Sequence, residues 1–241
     1  MDRFTNGFDR LIEFVSSIFP SQSCSSNSIA DRQIATPAID APRNRFLEAA
    51  SRVTNHSGYS ASTSNDAPYG YFYGRHVIGD CTRFAGGIYL GHEPSDAVVI
   101  DDRYAVLPDL YKSLLNSLAA SEQTGVSREY DIFNKVVHVV TDAITIDPEA
   151  TLAFAHEQSL MSDKKVSLDV YIVKGFGLAH HQVLLAGYLL ERLVDEGILL
   201  GTVTLDSALS ALTGEVLLYQ SRSGATLRFA PNERRIAEIV H

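Results

Sequence analysis

Tryptophan is absent from this 241-residue chain, and cysteine and methionine occur only twice each. No apolar stretch reaches the roughly 18–20 residues that a membrane-spanning helix needs; the richest, Val183 to Leu190, runs into Glu191 and Arg192. That run is expected to be a buried helix. Cys24 and Cys81 lie far apart, one of them in a polar stretch, so no disulfide framework is indicated and a reducing compartment is expected. Basic residues are also in deficit. Twenty Lys and Arg against 29 Asp and Glu leave a net charge of −9, which repels a phosphate backbone, and no Lys/Arg run offsets it. Nucleic acid is not expected as a partner. The first residues lack the apolar core of a secretory signal, because Asp2, Arg3, Asp9, Arg10 and Glu13 interrupt it. The expected location is the cytoplasm, or the inside of another cell reached by a signal-less route.

What is present is enough apolar material for one substantial core, with 45% hydrophobic residues. Phe4, Phe8, Leu11, Ile12, Val15, Ile18 and Phe19 recur at mostly helical spacing, which predicts an amphipathic helix within residues 1–19. Its apolar face packs on the main domain or docks on a membrane surface or partner. Residues 20–67 are rich in Ser, Asn, Asp and Pro and read as a flexible linker, interrupted by a short helix at 44–53. Residues 68–128 read as a small β element plus a helix. Thr82–Leu90 and Ala97–Ile100 are its expected strands, and Leu107–Ala120 is its helix. Residues 129–241 form the expected core. There a helix over Glu129–Ala143 precedes the apolar helix starting near Ala179, and strands follow at Leu199–Leu205, Glu215–Gln220 and Ala225–Phe229, the last two joined by Ser221–Gly224 as a hairpin. The order predicts an α+β fold with a buried helix packed on an antiparallel sheet.

The segment from Leu168 through Gly177-Leu178-Ala179-His180-His181-Gln182-Val183-Leu184-Leu185 to Leu193 resembles the nucleophile region of bacterial transglutaminase-like proteins, whose pattern is Gly-Val-Cys-Arg-His-x-Ala-Leu-Leu. The wider superfamily includes papain-like peptidases, deamidases and transglutaminases. The resemblance implies a transglutaminase-like, papain-related core from about Tyr130 onward. It also implies three catalytic positions. A thiolate at a helix N-terminus has its pKa lowered by the helix dipole, a histidine on a neighbouring strand takes its proton, and an aspartate orients that histidine. In this chain the cysteine position carries Ala179, the histidine position Gly214 and the aspartate position Ala230. None of these side chains can perform the chemistry. His180, His181 and Gln182 would line the cleft left beside them. The resemblance therefore implies a pseudoenzyme that binds a protein or peptide partner, a role that suits a secreted effector or regulator. Alternatively, Ala179 is an engineered replacement of the nucleophile in an otherwise active enzyme of this kind.

A competing thiol site is Gly79-Asp80-Cys81-Thr82-Arg83-Phe84-Ala85, with His138 and Asp147 following in the chain order of an active peptidase, deamidase or transglutaminase. Against it, Cys81 precedes a predicted strand rather than a helix, and His138 falls within a helical pattern. His180 and His181 point about 100° apart on a helix and cannot clamp one metal together. His156-Glu157 lacks the second histidine of a zinc-peptidase motif, because Leu160 stands there. Asp101-Asp102-Arg103 and Asp195-Glu196 read as solvated turn and helix-end charges. No phosphate loop or dinucleotide fingerprint is present, so neither a metal nor another cofactor is expected.

Overall fold

The computed structural model describes residues 45–80, 82–91, 97–120, 126–161, 165–206, 216–222 and 224–239. The expected N-terminal helix, the linker up to residue 44, Cys24, Cys81 and Gly214 lie outside the described residues.

The described chain is α+β. It begins with α1 (Arg45–Val53), followed by three very short strands, β1 (Tyr59–Ser60), β2 (Tyr71–Phe72) and β3 (Arg75–His76), which pair antiparallel in that order. β1 lies within the stretch expected to be linker, and Ala67 at its far end is buried. Ser/Gly/Asn composition there reflects turns rather than a free connector. β2 and β3 are joined by Tyr73 and Gly74, both at positive φ (50° and 75°), as a two-residue type I′ hairpin requires. A tyrosine is an unusual occupant of that conformation. Its ring packs on Phe72 and His56, and its N–H donates to the Gly58 carbonyl at 2.7 Å.

β4 (Ile88–Leu90) and β5 (Ala97–Val99) form the expected antiparallel pair, but each is shorter than the apolar run that predicts it. Residues 82–87 are turn and irregular backbone leading into β4. β5 also pairs in parallel with the distant β7 (Lys165–Ser167). The helices α2 (Val106–Ala119) and α3 (Val126–Ala143) fall where their spacing predicts. α2 buries Leu107, Tyr111 and Leu114, and α3 turns Ile132, Phe133, Val136, Val137 and Val140 into the core.

β6 (Thr145–Ile146) leads to α4 (Pro148–Met161), where Pro148 opens the helix and Asp147 caps it by accepting the Ala150 N–H at 3.0 Å. After β7, the chain forms α5 (Leu168–Lys174), whose cap is Ser167 and whose end is Gly175 at φ 75°. β8 (Phe176–Gly177) pairs in parallel with β6 and delivers the chain to α6 (Ala179–Asp195). Every residue of α6 from His181 to Leu190 is buried, so the helix that is apolar nearly all round is indeed the central one.

α6 packs on α3 and on the antiparallel sheet formed by β9 (Gly201–Asp206), β10 (Val216–Ser221), β11 (Thr226–Ala230) and β12 (Arg235–Ile239). The sheet order is β12-β11-β10-β9. The hairpin at 221–224 joins β10 to β11 with Leu217 opposite Phe229 and Tyr219 opposite Leu227. A short 3-10 turn, Pro231–Glu233, links β11 to β12, a strand that periodicity does not reveal. One hydrophobic cluster spans Phe46 to Phe229 and draws on residues from both sides of position 128. No helix among the described residues is long and apolar enough to cross a membrane.

Candidate functional site

The first turn of α6 is built by the Gly-containing segment that precedes it. Leu178 caps the helix in an extended conformation, and its N–H donates to Nδ1 of His181 at 2.8 Å. That bond puts the His181 proton on Nε2. A Cβ on Gly177 would lie 3.1 Å from the His181 Nδ1 and 2.8 Å from Ile144, so only glycine lets the ring tuck beneath the turn. His181 is 2% exposed, and its Nε2 has no hydrogen-bond partner. Burial, and secondarily the neighbouring His180, push its pKa down to about 2, so the ring is neutral.

Four rings stack across this turn. Tyr89 from β4 lies on His180 at 5.6 Å, His180 on His181 at 4.1 Å, and His181 on Tyr171 of α5 at 3.8 Å. Phe154 of α4 continues the row edge-on to Tyr171 at 5.7 Å. Gln182 is buried, donating to the Ile144 carbonyl at 2.6 Å, while its Oε1 has no partner. Ala179 and His180 are half-buried, so this is the face of the turn that meets solvent.

Of the three positions to which the resemblance assigns catalytic roles, Ala179 is the first residue of α6 and Ala230 the last of β11, buried and paired with Arg235. Strand register sets Ala230 at the same end of the sheet as Val216 and Asp206. The opposite end, at Gly201, lies beside the C-terminus of α6, where the Leu199 N–H donates to the Leu193 carbonyl. The chain thus doubles back from α6 into β9, as a helix-on-sheet core requires.

The competing thiol constellation is dispersed in what is described. His138 is exposed on α3, and Asp147 is spent as the α4 cap. No hydrogen bond joins the two among the described residues. The segment after Cys81 is fastened to the second half of α6 instead. Phe84 packs on Gly187, and the Glu191 carboxylate accepts the N–H groups of Phe84 at 3.1 Å and Ala85 at 2.9 Å. Arg83 pairs with both Glu191 and Asp195. No helix begins in this segment to depress a thiol pKa.

Asp101 corrects the reading of its turn as solvated. It is 4% exposed and is held by Arg75 and by the Arg103 Nε at 2.8 Å. These hydrogen bonds, Arg103's first, hold its carboxyl far below the usual range. Asp195 and Glu196 do behave as helix-end charges, the latter paired with Arg192 at 3.1 Å. Sequence reasoning missed Tyr89, Tyr171 and Asp169 as neighbours of α6, because each comes from a separate element whose pairing is non-local. Among the described residues no group of three or more His, Cys, Asp or Glu side chains is placed to hold a metal ion. Neither a family model, nor a curated protein, nor a solved structure matches the chain.

Proposed function

We propose that this chain is a non-catalytic protein of transglutaminase-like architecture that binds a protein or peptide partner at the first turn of α6. Ala179 carries the reading. It occupies the half-buried first position of a long buried helix laid on an antiparallel sheet, where the resemblance implies a cysteine, and its methyl group offers neither nucleophile nor proton. The second support is the adjoining ring stack. The half-buried His180 ring, backed from beneath by the buried Tyr89 ring at 5.6 Å, presents a polarisable edge beside Ala179 against which a peptide side chain can pack.

Two experiments test it. Hydrolysis and transamidation of glutamine-containing peptides are measured for the wild type and for the Ala179→Cys and Cys81→Ser variants, with thiol labelling at neutral pH. No variant is expected to turn over substrate, since Ala179→Cys restores a thiol without its histidine and aspartate. Fast labelling of Cys81, together with activity that disappears in Cys81→Ser, would establish a thiol enzyme instead. For the binding site, a photo-crosslinking residue is placed at position 179 or at the exposed position 138 and offered a library of extended peptides. Crosslinking is expected at 179 only, and to be lost in His180→Ala; equal yields at both positions would refute the site.

A further inference from the structure

The turn between β2 and β3 carries Tyr73 at φ 50°, a conformation that Asn or Gly adopts with less strain. Strain of that kind is kept where the side chain it presents is used. The surroundings over-determine the ring. It lies against the place where a Cβ on Gly58 would stand, 2.9 Å from the ring's Cζ, and the Phe72 ring meets it edge-on at 4.6 Å. Lys165, reaching across from β7, sets its Nζ 3.0 Å from the ring centroid. Tyr73 is nonetheless 36% exposed, and His56 beside it is exposed as well.

The polar atoms of this cluster are mostly donors. The Gly58 N–H donates to Nδ1 of His56 at 3.1 Å, which leaves the proton of the neutral His56 ring on Nε2. That Nε2 stands 3.4 Å from the Tyr73 hydroxyl, so His56 donates, the phenol oxygen accepts, and the Tyr73 O–H is left to donate outward. The Lys165 ammonium carries a positive charge and can only donate. Three separate segments thus bring donors to one exposed turn, and the one acceptor among them is already engaged by His56. The chemical complement of such a set is an oxyanion. We propose that His56, Tyr73 and Lys165 form an oxyanion subsite on the β2–β3 turn, which takes the phosphoryl or carboxylate group of a ligand. The net charge of −9 gives the chain no long-range attraction for an anion, so binding rests on these local donors.

The full chain is titrated with sodium phosphate and, separately, sodium acetate at fixed pH and constant ionic strength, with sodium chloride as the control. The His56 ring protons, assigned by their loss in His56→Gln, and the Gly74 amide are followed by NMR. Saturable shifts with phosphate, acetate or both, and none with chloride, are expected; the tighter anion identifies the group that the subsite prefers. Tyr73→Phe and Lys165→Met each remove one donor and should weaken binding at least about threefold. Lys112→Met, at an exposed lysine of α2, should leave it unchanged. Shifts that match those in chloride, or binding at wild-type strength in either Tyr73→Phe or Lys165→Met, overturn the subsite. Both replacements keep the ring or the aliphatic stem in place, and the chloride comparison on the wild type still decides should either fail to fold. Neither titration involves Ala179, so the outcome is independent of whether the α6 turn binds a peptide.

Discussion

The ring of Phe84 occupies the space where a Cβ on Gly187 would stand, with Cε1 2.4 Å from that point. This contact lets the loop after Cys81 lie flat on the central helix. Phe84 is fully buried and Gly187 lies in the middle of α6, so neither can retreat without opening the core. Gly187→Ala is therefore expected to lose about 1–3 kcal/mol in urea denaturation, although alanine is the better helix former. Unchanged stability would mean that the loop does not pack there.

Glu191 holds the same loop by its backbone. Removing the carboxylate strands the N–H groups of Phe84 and Ala85, which have no other acceptor within the turn. Glu191→Ala should cost about 1–3 kcal/mol, and Glu191→Gln, which keeps one acceptor oxygen, visibly less. Equal losses would point to Arg83 as the group that matters.

The buried Asp101 cluster separates its two arginines by environment. The Arg75 side chain is 23% exposed and that of Arg103 is 74% exposed. Asp101→Ala leaves the half-buried Arg75 uncompensated and is expected to cost about 3 kcal/mol. Arg103→Ala should change chemical denaturation little, because its guanidinium is solvated and screened. A larger effect from Arg103 than from Asp101 would contradict this ranking.

His181 predicts acid sensitivity. Its folded pKa is depressed and its unfolded pKa is near 6.5, so its stabilising neutrality is complete above that value and erodes as pH falls below it. Between pH 6.5 and 5 the wild type should lose about 1–2 kcal/mol more than His181→Gln, which can still accept from Leu178 but cannot be protonated. Denaturation midpoints of the two proteins at both pH values check this. Parallel pH profiles would show that the ring is not held neutral.

Much of the α6 scaffold was legible beforehand because it is written locally. A run from Val183 to Leu190 with no polar side requires burial on all faces, and Ser221–Gly224 between two apolar strands requires a hairpin. Other parts were not. β12 carries Arg235, Ala237 and Glu238 on an edge, so it lacks the alternation that marks a half-buried strand. β6, β7 and β8 are two or three residues long, too short for any period to emerge.

The sequence by itself determined that a helix apolar on nearly all faces begins near Ala179, and that the chain would form helices ahead of an antiparallel sheet. These depend on residue identity and on periodicities within one element. Only the tertiary structure decided that His180 and His181 would stand in a row with Tyr89 and Tyr171, and that the buried Asp101 would lie near enough to Asp169 for its charge to act there. Those relationships join β4 to α6, and the turn after β5 to α5, across long stretches of chain. Their strength comes from excluding water around polar groups, which no local pattern encodes.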